Sequence, residues 1–285
     1  MPRFNVSEKV IVQADVAKVY EYLLDFRCWR EWSPWLICES GCELKIGEKS
    51  YKWEGEVIGS GKMTLLETTK NKRMDYDLKF FSPWKSQADV QFRLIPREDG
   101  TEVEWRLQSS LPWFLFFLKS MMQRMISMDY QRGLKMLKEK LETGVVDTQL
   151  EYTDSEEIAG CHFVGLERTC SIDDISTMME KDMKKLMSLP IEAKSIPGNA
   201  AYPFTMISKW KMGKGLVSYT CAIPVMNTSP CIAALADVTV SGYRPPCDAF
   251  TVTHTGNYDH LGNAWAAGMM RAQNKIFPQN KKLSP

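Results

Sequence analysis

Apolar and polar residues alternate through much of the first half of the chain. The stretch RMDYDLKFF (73–81) carries Met74, Tyr76, Leu78 and Phe80 on one parity and Asp75, Asp77 and Lys79 on the other. SQADVQFRLI repeats this through Ala88, Val90, Phe92 and Leu94, and TEVEWRLQS through Val103, Trp105 and Leu107. A period of two belongs to strands with one buried face. With VSEKVIV, YKWEGEVIG and GKMTLLETTK, these stretches predict an antiparallel sheet with one wet side. Two segments switch to helical spacing. Val16, Val19, Tyr20, Leu23 and Leu24 follow Asp15, and Tyr130, Leu134, Leu137 and Leu141 fall in a long segment opened by Pro112. CWREWSPW sets Trp29, Trp32 and Trp35 on a short helix or turn broken by Pro34. The pattern predicts an α+β domain, a long helix laid across a curved sheet.

ETGVVDTQ (142–149) loses periodicity and reads as a linker between domains over 1–145 and 150–285. Beyond it, CHFVGLE reads as a strand. SIDDISTMMEKDMKKLMSLP reads as a helix capped by Ser171, with Ile175, Met178, Met179, Leu186 and Met187 on one stripe and Pro190 at its end. AYPFTMISKW and GLVSYTCAIPV read as two more strands, giving β-α-β-β. A strand at 249–254, a reversal at Gly256 and a helix over 259–275 begin the same order again. Asp259 is the expected cap of that helix, and Leu261, Trp265, Met269 and Ala272 its expected buried face.

Charge narrows the function classes. Residues 1–145 hold 23 basic and 21 acidic side chains and residues 146–285 hold 13 and 14, so neither half has the basic excess of a nucleic-acid binder. WFLFFL (113–118) is the most membrane-like run, and Lys119 stops it far short of a bilayer span, so no membrane partner is expected. The opening MPRFNVSEKV lacks the apolar core of a signal peptide, and the eight cysteines include no Cys-x-x-Cys pair. Reduced thiols in a cytoplasmic protein are the expectation.

Candidate chemistry is sparse. No histidine occurs before residue 162, and Asp75, Asp77, Glu102 and Glu104 all fall on the wet parity. No catalytic residue is therefore assigned, and no cofactor is expected. HTGNYDHLGNAW (254–265) gathers two histidines, a tyrosine and an aspartate. His254 and His260 do not share a helical face and no cysteine or acid pattern completes a tetrahedral set, so a metal site is not expected. Cys161 and His162, adjacent on a strand, point to opposite faces and make no nucleophile pair. Trp53, Tyr76 and Trp105 share the concave parity, which fits either cavity-lining residues or ordinary core aromatics.

ADVAKVYEYLLDFRCWREWSPW, YKWEGEVIGSGKMTLLE and MDYQRGLKMLKEKLE resemble the SRPBCC superfamily, in its polyketide cyclase-like and START-like branch, over about residues 3–143. The resemblance implies a helix-grip fold enclosing an apolar cavity for lipids, hormones or polyketides. HTGNYDHLGNAW and YTCAIPV resemble the GyrI-like, AraC-type effector-binding domain over about residues 150–277. That resemblance implies paired β-α-β-β units around a groove for aromatic, often cationic, molecules. By motif position Tyr258 is the first candidate there, with Trp210 and Tyr219 behind it. The family continues through two more strands, where a pocket acid commonly lies, whereas this chain stops at FPQNKKLSP. A truncated second repeat is the expectation, with an open sheet edge that offers a homodimer contact and a less stable second half. The functional expectation is binding of a small hydrophobic or cationic aromatic ligand, as a sensor or sequestering protein without its own DNA-binding module. The alternative is a cyclase, hydratase or hydrolase in one of the two cavities.

Overall fold

The computed structural model describes residues 3–188, 202–225 and 240–276. Its first part is a seven-stranded antiparallel sheet, in the order β1-β7-β6-β5-β4-β3-β2. The strands are β1 (Arg3–Val12), β2 (Glu43–Ile46), β3 (Ser50–Glu54), β4 (Ser60–Thr69), β5 (Arg73–Ser82), β6 (Ser86–Arg97) and β7 (Gly100–Ser110). Helix α1 (Val16–Leu24) and short 3-10 turns at Phe26–Glu31 and Leu36–Glu39 lie between β1 and β2. Asp15 caps α1, its carboxylate accepting from the Ala17 N–H.

Parity placed the faces correctly. Met74, Tyr76 and Leu78 on β5 are buried, as are Val90 and Phe92 on β6 and Val103, Trp105 and Leu107 on β7. The outer face is wet with one exception. Glu104 is 5% exposed, because Ser7, Arg106 and Lys9 close over its carboxylate. The long helix α2 (Lys119–Thr143) buries Tyr130, Leu134, Leu137 and Leu141 against the sheet, the stripe read from its spacing. Its first turn differs from the expectation: Trp113–Leu118 is a 3-10 turn, and the α-helix begins only at Lys119. Gly144, in the left-handed region at φ 86°, ends it. The whole is α+β, a helix-grip arrangement followed by a second β-rich region.

That region holds β8 (Thr148–Ile158), β9 (Cys161–Ser171), α3 (Ile175–Met187), β10 (Phe204–Lys211), β11 (Leu216–Val225), β12 (Val240–Arg244), β13 (Cys247–Gly256) and α4 (Gly262–Ile276). A four-stranded sheet runs β10-β11-β9-β12, and β13 pairs with β8. The expected β-α-β-β order over β9, α3, β10 and β11 is present, as is a following strand and helix. Strands β2, β8 and β12 escaped the sequence reading, β2 being only four residues long. The expected helix end at Pro190, the eighth cysteine Cys231 and the last residues, FPQNKKLSP, fall wholly or largely outside the described residues.

By packing, the chain forms two compact units, Met1–Tyr152 with Val252–Pro285, and Thr153–Thr251. Helix α4 thus belongs with the first unit, and Ala267 joins its core. The expected buried face of α4 is corrected. Trp265 and Met269 are 45% and 48% exposed, while Asn263 and Ala267 are fully buried. The expected cap is corrected too. Asn257 caps the 3-10 turn Tyr258–His260, accepting from the Asp259 N–H, while Asp259 lies inside that turn, ahead of α4, and pairs with Lys135 at 2.9 Å. Gly256, at φ 124°, makes the reversal as expected.

Candidate functional site

The concave side of the first unit is packed with the chain's own rings. Trp29 and Trp32, carried in by the 3-10 turn at Phe26–Glu31 and the residue after it, insert against the sheet. Trp32 lies 5.4 Å from Trp105 and 6.2 Å from Phe92 between ring centroids, and Trp29 lies 5.8 Å from Tyr76. Tyr130 of α2 stacks on Trp105 at 3.9 Å. Glycine permits two of these approaches. A Cβ on Gly133 would fall 2.8 Å from both Pro34 and the Trp105 ring, and one on Gly61 would fall 2.3 Å from the Trp53 ring.

A cavity of about 10 Å³ remains, bounded by Ser33, Trp35, Tyr51, Trp53, Met63 and Phe80 among others. That is the space of about one water molecule. Trp53 therefore lines open space, whereas Tyr76 and Trp105 are enclosed by protein on all sides. Several donors in this interior find no protein acceptor: Trp32 Nε1, Trp53 Nε1, Trp105 Nε1 and the Tyr130 hydroxyl. A buried donor left unpaired is costly, so such groups call for an explanation. Burial pushes the Tyr51 phenol far above its ordinary range. It therefore holds its proton at neutral pH and makes a poor base.

HTGNYDHLGNAW resolves into a polar knot that fastens α4 to α2. Arg132 donates to Asn263 Oδ1 at 2.7 Å and to Asp129 at 2.7 Å. Asn263 donates in turn to Thr148 Oγ1 at 3.2 Å, which His254 Nε2 also meets at 3.0 Å. Buried His260 bonds Glu139 through a short contact. Burial lowers the His254 pKa, aided by neighbouring His260. Buried Cys38 lies beside Arg132, and desolvation pushes its thiol up against the pull of that guanidinium. Among the described residues no cluster of His, Cys, Asp or Glu could hold a metal ion. The seven described cysteines are unbridged.

In the second unit, Tyr219 on β11 is buried beneath α3. Its hydroxyl donates to Asp182 at 2.8 Å, and Arg168 grips the same carboxylate with two nitrogens at 2.5 Å. Burial alone would raise the Asp182 carboxyl, but the hydrogen bonds from Arg168 and Tyr219 hold it below its ordinary range. Trp210 on edge strand β10 is opposite Val217, two residues from Tyr219 on the same face. Register thus brings Trp210 and Tyr219 to one side of this sheet. Tyr258 lies on the Tyr258–His260 turn and is 64% exposed.

Sequence reasoning missed Trp29 and Trp32 as interior-filling rings, and it missed Asp182 and Arg132. The signal for the tryptophans was present in their i, i+3 spacing. For Asp182 there was none, since an acid beside Glu180 on a helix rich in lysine reads as a surface residue.

Comparison with known proteins adds one finding. Residues 3–142 match the family model described as polyketide cyclase / dehydrase and lipid transport. The comparison with curated proteins found no match. Solved structures similar to part of this chain include an X-ray structure of a Chromobacterium violaceum protein, 17% identical, covering 48% of this chain and 97% of its own, with a TM-score of 0.38. The solution structure of the Aha1 dimer from Colwellia psychrerythraea is 18% identical, covering 50% and 98%, with a TM-score of 0.37. The di-domain ARO/CYC StfQ from the steffimycin biosynthetic pathway is 10% identical, covering 49% and 51%, with a TM-score of 0.40. Scores this low carry no argument about the site.

Proposed function

We propose that the first unit binds a small hydrophobic molecule bearing a hydrogen-bond acceptor, at the Trp53 end of its concave face. One observation carries the reading: the Trp53 indole N–H is buried, lacks a protein acceptor, and belongs to a ring that lines the cavity. The family match over residues 3–142 supports the ligand class. A drug-sized ligand needs roughly 300 Å³ or more, so side chains must yield on entry. Met63 suits that role, being unbranched and soft. The cavity also lies toward the short strands β2 and β3, at the sheet edge. Removal of apolar ligand surface from water, at about 25 cal/mol per Å², would drive binding, and the indole donor would orient the ligand.

We further propose that the second unit is a GyrI-like binding domain for an aromatic molecule, with Trp210 and Tyr219 on one sheet face; Tyr258, which belongs to the first unit, is kept as a separate candidate. Its β-α-β-β order supports that reading. Sensing or sequestering in the cytoplasm remains the proposed role. The enzyme alternative needs an acid or base at the cavity, and the lining offers only Ser33 and a proton-holding Tyr51.

A matched pair of probes tests the main reading, an aromatic ketone and its hydrocarbon analogue, followed by thermal shift. Both should raise the midpoint, the ketone more. Trp53→Phe should erase the ketone's advantage, about fivefold in affinity for one neutral hydrogen bond. No shift with either probe, or an unchanged ketone advantage in the variant, overturns it.

A further inference from the structure

At the end of the seven-stranded sheet where β7 leaves, the first unit holds six large aromatic side chains in solvent. Trp113, Phe114, Phe116 and Phe117, on the 3-10 turn Trp113–Leu118, are 57–76% exposed. Their rings meet in pairs, 113 with 114 and 116 with 117, each with centroids 6.1 Å apart. Phe81 comes from the end of β5 and Trp84 from the turn joining β5 to β6. The register places that turn at the same end, since Ala88 is opposite Ser109 and the Ser109 hydroxyl donates to the Gln87 carbonyl at 2.7 Å. The four rings of the 3-10 turn alone present roughly 400–600 Å² of apolar surface, near the upper limit for a monomer's largest patch.

The charges nearest the four rings of the 3-10 turn have one sign. Residues 109–128 contain Lys119 and Arg124 and no acid. Lys85 stands on the β5–β6 turn, and Arg3 lies opposite Ser110, both exposed. The nearest acids on these strands, Asp77 and Asp89, are further along the outer face, and Asp77 already pairs with Lys79 at 3.1 Å. Glu43, Glu54 and Glu56 are at this end as well, on β2, β3 and the β3–β4 loop, which meets the β5–β6 turn where Gly59 packs on Ser82, so the basic rim is confined to the β7 side.

We propose that this end of the first unit docks onto an anionic lipid bilayer. Exposed tryptophan and phenylalanine enter the headgroup boundary, while lysine and arginine on the rim meet anionic headgroups. No helix among the described residues is long and apolar enough to cross a membrane, so the segment would lie on the surface. The shortness of WFLFFL rules out a span and leaves surface docking open. A second copy is the less suited occupant, because a two-fold contact would set Arg3, Lys85 and Lys119 against the same three cations. The inference stands apart from the ligand reading.

Co-sedimentation of the full chain with vesicles tests it, using phosphatidylcholine alone and phosphatidylcholine mixed with phosphatidylserine. The wild type should pellet with the mixed vesicles, several-fold less with phosphatidylcholine, and less again as salt is raised. Combined Trp113→Ser, Phe116→Ser and Phe117→Ser should weaken partition by about tenfold or more with the melting midpoint kept, since these rings leave no core gap. Lys85→Glu with Lys119→Glu should remove the preference for phosphatidylserine. A wild type that stays in the supernatant with both vesicles overturns the proposal, as does a triple-serine variant that pellets like the wild type. Light scattering supplies the remaining outcome: a dimer that the triple substitution splits, without vesicle binding, assigns the patch to a second copy instead.

Discussion

Asp182 shows how little the neighbourhood in sequence says about a residue's surroundings. It sits among Lys181, Lys184 and Lys185 on α3, yet is 1% exposed and takes hydrogen bonds from Arg168 and Tyr219. Asp182→Asn should cost about 2 kcal/mol at neutral pH, the scale of hydrogen bonds to a charged group. The pH dependence has a definite sign. Because the folded-state pKa lies below the ordinary one, the carboxylate's contribution is present at neutral pH and lost as pH falls through the aspartate range. Urea unfolding of the two proteins at several pH values should show their difference shrinking with acidification. A gap that stays constant would mean the charge is not what matters. At this same scale Trp53, Tyr76 and Trp105 were readable as inward residues from parity alone. Whether a ring lines space or fills it was not readable, because that depends on Trp29 and Trp32, distant in sequence and delivered by a turn.

Among the elements, α4 is the instructive case. Its spacing allows two faces: Leu261, Trp265, Met269 and Ala272, or Asn263, Ala267 and Met270. Hydrophobicity favours the first, and the protein uses the second. The surface it meets presents Arg132, and a buried guanidinium requires an acceptor, which Asn263 supplies at 2.7 Å. Ala267 is small enough to let the helix approach. Ala267→Leu should therefore destabilise by about 1–3 kcal/mol through overpacking. Trp265→Ala, on the exposed side, should stay within about 0.5 kcal/mol of the wild type. Denaturation midpoints of the two variants decide between the faces, and a larger loss from Trp265→Ala would restore the first. The sheet strands posed no such ambiguity, since a period of two admits only two faces and one was plainly charged.

For the whole molecule, the division into units makes a further expectation. The end of β13 and helix α4 pack with the first unit although β9 to β12 intervene in sequence. In native-state hydrogen exchange, the amides of α4 should open together with those of α2 as denaturant is raised. Opening of α4 with β9 and β11 instead would place it in the second unit. The near balance of charge, 36 basic and 35 acidic residues, gives no global field, so the basic rim around the exposed aromatic rings is a local feature that composition hides.

The sequence by itself determined six of the seven strands of the first sheet, their inward parity, the stripe of α2 and the α+β class. Each follows from local periodicity, which needs no knowledge of partners. Tertiary structure alone decided how much of the concave face stays open, which stripe of α4 is buried, what Asp182 and Arg132 bind, and which chain segments share a core. These depend on groups far apart along the chain, where volume must be filled once and every buried polar group must find a partner.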